Sequence, residues 1–328
     1  MNDGRYAEAI TAFEAMDGYR DSAAMIEECR TALKDIDYDA AVALMEAGMY
    51  DDSIAAFETM NGYRDSAAMI EKCRLALKDA AYNAAVAQMK AGKYQEAYKA
   101  FTAMDYKDSR DKAAECLFLI QKAGVAAAKK GSTVKFGYYE QDNNTANGKE
   151  EIEWTVLAVE GKKVLLISKD VLDCKPFSTS HANTTWESSS VRSWLNSTFL
   201  NAAFSANHQK LISTVSVSAG KNSRYNTNPG NETRDKVFLL SAAEAEKYLT
   251  TAASRQGAPT AYAKAQGAWV SGKTEKGIGT CWWWLRSPGS SQTNAATVFG
   301  DGSVYYHGLG VSADDNGVRP ALWVDLSA

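Results

Sequence analysis

What the 328-residue chain lacks narrows its class. It has five cysteines, an odd number without close pairing, and neither a C-x-x-C nor a cysteine–histidine cluster. That composition excludes a disulfide framework and argues against a zinc site. The three histidines (His181, His208, His307) are far apart in sequence. No apolar run approaches the roughly 20 residues of a membrane helix, so no membrane span is expected. A net charge of −4 gives no general attraction to nucleic acid or to anionic membranes. No signal peptide is visible, but Met1 opens in the middle of a repeat. A longer natural chain is therefore expected, cytoplasmic, or at the cell surface if a preceding segment carries it there. No cofactor and no metal are expected.

What remains, 45% hydrophobic and 23% charged residues with five prolines, is ordinary globular composition with room for two domains. The first part repeats itself. GRYAEAITAFEAMDGYRDSAAMIEECR (4–30) returns as GMYDDSIAAFETMNGYRDSAAMIEKCR (48–74) and as GKYQEAYKAFTAMDYKDSRDKAAEC (92–116). Gly4, Gly48 and Gly92 recur every 44 residues, and Cys29, Cys73 and Cys116 hold one place in the unit. A fixed period of this length means stacked helical units. The stretch from Asp65 to Ala91 has no Gly or Pro, and Ile70, Cys73, Leu77, Ala81 and Ala84 line one helical face. Asp21, Asp65 and Asp108 occupy N-cap positions, and Gly48 and Gly92 break each long helix before a short one, such as 51–60. The pattern G-x-Y-x-x-A-x-x-x-F, with Tyr50, Ile54 and Phe57 as packing residues, resembles the tetratricopeptide class. The repeat cysteines are expected to be buried small hydrophobes.

Around 123–132 glycine and lysine replace the apolar stripe. The organisation predicted is helical repeats over 1–122, a linker over 123–132 and an α+β domain over 133–328. Strands are predicted at 134–139, 154–159, 163–168 and 238–240, and helices at 188–199 and 241–248, the latter with Ser241 and Glu244 at capping-box spacing. The last fifty residues read as strands. Asp301-Gly302 marks a hairpin, Pro320 an edge strand or bulge, and 219–235 and 254–280 irregular loops. Residues 267–274 (GAWVSGKT) match the letters of a phosphate-cradling loop. Without a strand before and a helix after, the match is rejected.

The blocks EWTVLAVEGKKVLLISKDVLD (153–173), TTWESSSVRSWLNSTFLNAAFS (184–205), DKVFLLSAAEAEKYL (235–249), WWLRSPG (283–289) and GVRPALWV (317–324) resemble a bacterial domain family common in gut bacteria. That family is similar to the C-type-lectin-like fold of formylglycine-generating enzymes and of the variable proteins of diversity-generating retroelements. The resemblance implies a multidomain chain: an all-α tetratricopeptide-like part followed by an α+β C-type-lectin-like domain. It also implies a ligand, a protein or a surface glycan, held by the C-terminal strands and loops. The open slots it leaves include Trp282, Ser290, Ser291, Gln292, Thr293, Asn294, Phe299, Tyr305, Tyr306, His307, Asp314 and Asn316, side chains suited to adaptable binding. Arg286 and Arg319 are expected to anchor the fold.

The run CWWWLRSPG (281–289) tests this scheme. In a strand, Cys281, Trp283 and Leu285 share one apolar face, and Trp282, Trp284 and Arg286 the other. Trp283 is then core, Trp282 exposed, and Trp284 packed under a loop with Arg286 stacked on it. The alternative is that all three are core. The functional expectation is a non-catalytic recognition protein with the repeats as spacer or protein dock. The alternative is a metal-dependent oxidase of the formylglycine-generating type, which requires Cys174 and Cys281 to meet in space.

Overall fold

The computed structural model describes residues 3–272 and 279–328, which divide into two compact units, one ending at Leu117 and the other running from Phe118 to Ala328. The first unit alternates short and long helices: α1 (Asp3–Glu14), α2 (Ser22–Glu46), α3 (Tyr50–Glu58), α4 (Ser66–Lys90), α5 (Tyr94–Thr102) and the start of α6 (Ser109–Ala126). Alanine-rich sequence without Gly or Pro sustains α2 and α4. Gly48 and Gly92 end them at φ 78° and 76°. The Gly48 and Met49 amides turn back to the carbonyls of Met45 and Leu44 at 3.0 and 2.9 Å, satisfying the last turn. Cys29, Cys73 and Cys116 are buried. Asp21 and Asp65 stand at the helix starts, but neither makes a side-chain capping bond. The Asp65 and Asp108 carboxylates instead accept the hydroxyls of Tyr38 and Tyr82 from the preceding long helix.

The division falls earlier than the expected linker. Residues 123–126 continue α6, and Val125 is buried in the core of the second unit. Gln121 accepts from the Gly137 amide at 2.9 Å and lies 2.9 Å from His208 Nε2, so the end of α6 is built into the second unit.

In that unit β1 (Thr133–Tyr139), β2 (Glu150–Glu160) and β3 (Lys163–Ser168) form an antiparallel meander; β4 is Asp173–Cys174. Next come α7 (Ser190–Trp194), a π-helical turn (Leu195–Phe199), α8 (Leu200–Ala203), α9 (Ala206–Leu211), β5 (Val215–Val217), β6 (Thr233–Asp235) and β7 (Val237–Phe238). The predicted capping box opens α10 (Ala242–Tyr248). Two short helices were not expected: α11 (Ala252–Arg255), which runs into the start of the predicted loop 254–280, and α12 (Ala261–Ala265), which lies within it. Thr251 and Thr260 cap them, a signal too short to carry a helical period. The remainder is β8 (Trp283–Pro288), β9 (Asn294–Val298), β10 (Val304–Gly310), β11 (Gly317–Val318) and β12 (Ala321–Asp325).

One sheet has the order β1-β2-β3-β12-β7 and another β10-β9-β8-β11-β4. Pro320 is not on an edge. It separates β11 in one sheet from β12, which lies between β3 and β7 in the other. A missing N–H is tolerated where the chain changes sheets. Lys273 and Thr274 of the phosphate-loop pattern lie outside the described residues, and what precedes the pattern is the five-residue α12 rather than a strand.

Candidate functional site

The tryptophan run is resolved by register. β8 and β9 pair Trp283 with Val298 and Trp284 with Thr297. β9 and β10 pair Thr297 with Tyr305. By alternation, Trp282, Trp284, Thr297, Phe299, Tyr305 and His307 share one sheet face, and Trp283 and Leu285 take the other. Trp283 is fully buried, with Nε1 donating to the Arg255 carbonyl at 2.9 Å and the Arg319 guanidinium 5.2 Å above its ring. Trp284 is buried too. Its Nε1 donates to the Lys175 carbonyl at 2.9 Å, and Phe177 packs edge-on at 5.7 Å. Arg286 does not stack on Trp284: its guanidinium lies 5.6 Å from the Phe238 ring and donates to the carbonyls of Ser218 and Leu239. Three competing acceptors, Glu244 among them, draw it across the strand.

Trp282, further along the same face, is half-exposed and belongs to a continuous ladder of rings. Ring centroids are 4.5 Å apart for Trp269 and Trp282, 4.7 Å for Trp282 and Phe299, and 4.4 Å for Phe299 and Tyr305. The ladder continues to His307, 5.7 Å from Tyr305, and ends edge-to-face on Tyr225 at 5.9 Å. Trp282 and Phe299 face each other across β8 and β9, Phe299 and Tyr305 are diagonal neighbours across β9 and β10, and Tyr305 and His307 are two apart on one strand. Tyr225 and His307 are exposed and the other four rings are half-buried.

At the Tyr225 end an open cleft of about 580 Å³ is lined by Arg224, Tyr225, Asn226, Thr227, Asn228, Ser290, Ser291 and Gln292. Asn222 fixes the contributing loop by donating to the carbonyls of Pro288 and Tyr306 at 2.8 and 2.7 Å, and Thr227 donates to that of Gly289 at 2.7 Å. Among the described residues no carboxylate pairs with Arg224, whose guanidinium lies 4.7 Å from the Tyr306 ring.

The structure thus brings Trp282, Phe299, Tyr305 and His307 into the ladder and Ser290, Ser291 and Gln292 into the cleft. Thr293 and Asn294 are tied into the turn at the start of β9, where Asn294 Oδ1 accepts from the hydroxyls of Ser291 and Thr293 at 3.0 and 3.2 Å. Asp314 is exposed near the far end, beside the Asp315 carbonyl that accepts the Trp269 amide. Two expected contact residues are corrected. Tyr306 is 8% exposed, because alternation turns it to the face opposite Tyr305. Asn316 is fully buried and donates to Thr297 Oγ1 at 2.8 Å, which ties the residue before β11 to β9 across the intervening β8. Sequence reading missed Trp269, Tyr225 and Arg224. Each lies in a segment with no period, and the signal was simply an aromatic or cation among Gly, Asn and Ser.

Cys174 and Cys281 do converge: Cys174 pairs with Gly317, and a Cβ on Gly317 would stand 3.1 Å from Cys281 Sγ. Burial pushes both thiols up to about 12, and for Cys281 the nearby Cys174 adds to it. Among the described residues no third histidine, cysteine or carboxylate joins them. The group that could hold a cation lies elsewhere, in the β1–β2 connection, where Glu140, Asp142 and Glu150 place carboxylate oxygens within 4.8 Å of one another. Amides of the same loop already satisfy them: Asn144 N to Glu140 at 2.9 Å and to Asp142 at 2.8 Å, and Gln141 N to Glu150 at 2.7 Å.

Residues 161–326, half of the chain, match the family described as a domain of unknown function (DUF6273). The chain belongs to the DUF6273 family. The DUF6273 match begins in the turn between β2 and β3, although β1 and β2 complete the same sheet. It includes Trp282, Phe299, Tyr305 and His307, and also Tyr225 and Trp269. No curated protein and no solved structure matches the chain significantly.

Proposed function

We propose that this DUF6273 protein is a non-catalytic recognition protein that grips a protein or surface-glycan ligand along the aromatic ladder and its adjoining cleft. The helical repeats serve as spacer or protein dock. The ladder carries this reading. The buried indoles of Trp154, Trp186, Trp283 and Trp284 each donate to a protein acceptor. Those of Trp269 and Trp282 find none among the described residues, so their donors are left for solvent or a ligand. Rings that stack on one another cover each other's faces and leave edges and polar tips outward, a rigid surface that orders at little entropic cost. The same reading takes the domain as C-type-lectin-like and its ladder positions as the open slots of a variable protein, supported by the sequence blocks that resemble that class.

The convergence of Cys174 and Cys281 favours the oxidase as second reading, and their high thiol pKa values weigh against it, because a metal ligand must be the thiolate. Screening the protein on glycan and protein arrays, with Trp282→Ser/Tyr305→Ser alongside, tests the first reading. Binding should be lost while the melting temperature stays within a few degrees, a shift of about 1 kcal/mol. Unchanged binding by the double variant sinks it. Stoichiometric copper or iron in the purified protein, removed by Cys174→Ser, would replace it with the second.

A further inference from the structure

We propose that the cleft at the Tyr225 end of the ladder is an acid subsite, and that the ligand is a glycan whose uronic or sialic acid carboxylate pairs with Arg224. This inference rests on the recognition reading above and names the chemistry of its ligand.

The cleft is lined by one cation and no anion. The exposed Arg224 guanidinium lies over the Tyr306 ring, and Glu246, at the other end of that tyrosine, faces its hydroxyl. A planar fork of donors without a hydrogen-bonded partner matches the two oxygens of a carboxylate. Among the described residues the side-chain amides of Asn226 and Gln292 and the hydroxyl of Ser290, all in the same lining, have no protein partner either. Amides and hydroxyls set donors and acceptors side by side, as sugar hydroxyls require. The exposed Tyr225 ring offers a flat apolar face for the C–H side of a pyranose. No leucine, isoleucine, valine or methionine lines the cleft, so it gives no pocket to the apolar anchor that a protein ligand buries.

Both walls are fixed in advance. The bonds of Asn222 and Thr227 hold one of them. In the other, the Ser290 amide donates to the His307 carbonyl at 2.8 Å, and the Gln292 carbonyl accepts the Thr184 amide at 2.8 Å. Gly289 lets this wall lie against β10, since a Cβ there would stand 2.4 Å from the His307 carbonyl oxygen. A cleft already in place loses little freedom when a ligand enters.

The probes are oligosaccharides of galacturonate, glucuronate and N-acetylneuraminate, each beside its carboxyl methyl ester, titrated calorimetrically into the full chain. The ester keeps every hydroxyl and loses the charge. At least one free acid should bind, and its ester should bind about tenfold or more weaker, the loss expected for a hydrogen-bonded charge. Arg224→Gln should bind acid and ester alike with its melting temperature unchanged, because the side chain is exposed. Trp282→Ser/Tyr305→Ser should lose both. Equal binding of acid and ester, or an acid preference that survives Arg224→Gln, would overturn the acid subsite; loss of that same binding in Trp282→Ser/Tyr305→Ser would leave the ladder reading standing. Binding of none of the three acids would also overturn it, and the recognition reading would then be decided by the protein array.

Discussion

Trp282, Trp283 and Trp284 are neighbours in sequence with three different surroundings, and stability should separate them. Trp284→Ala empties a fully buried site and orphans the Lys175 carbonyl, a loss of about 3–5 kcal/mol. Trp282→Ala removes a half-exposed ring from a stack, about 1 kcal/mol. Urea denaturation of the two variants checks the difference. His208 offers a second measurement. Burial lowers its pKa from 6.5 to about 4, and its ring is held by Ser205 and Gln121. Between those values the unfolded chain binds a proton that the native imidazole refuses. The contribution is therefore complete above about pH 6.5 and lost as pH falls to about 4, on the order of 3 kcal/mol. A scan of melting temperature against pH should show this fall, and His208→Gln should flatten it. Equal slopes in both proteins would exclude His208 as the cause.

The β9–β10 hairpin holds the ladder in register. Its turn closes through the Phe299 amide on Ser303 and the Gly302 amide on Phe299, at 2.9 and 2.8 Å. Gly302 sits at φ 82°, and a Cβ there would stand 1.9 Å from the Ala252 carbonyl oxygen. Gly302→Ala should cost about 2–4 kcal/mol, as backbone strain and a forced shift of α11 add. Since Phe299 and Tyr305 flank the turn, intrinsic tryptophan fluorescence of the folded variant should change as well. The Asp301-Gly302 signal was legible because two residues suffice to specify a turn. The helices α11 and α12 were not, since four or five residues carry no amphipathic period and their caps look like any Thr in a loop.

For the whole molecule, the boundary has a measurable consequence. Phe118, Gln121 and Val125 pack into or bond within the second unit. A fragment starting at residue 109 should fold, whereas one starting at 133 should melt markedly lower, because it lacks a buried valine and the Gln121 partner of the Gly137 amide and of His208 Nε2, a deficit of about 3 kcal/mol or more. Equal melting of the two fragments would return the boundary to the composition change near residue 123.

The sequence alone determined the repeat period, the helical first part, the mixed second part and the alternation that set Trp282 apart from Trp283, because these are local patterns of 3.6, 2 and 44 residues. Tertiary structure decided everything that depends on partners distant in the chain. It buried Trp284 under Lys175 and Phe177 while leaving Trp282 open on the same face, and it took Tyr306 and Asn316 out of the candidate surface. It also brought Trp269 and Tyr225 to the two ends of the ladder. A period records which side of an element a residue faces. Whether that side is covered depends on segments from elsewhere in the chain, and no local pattern contains them.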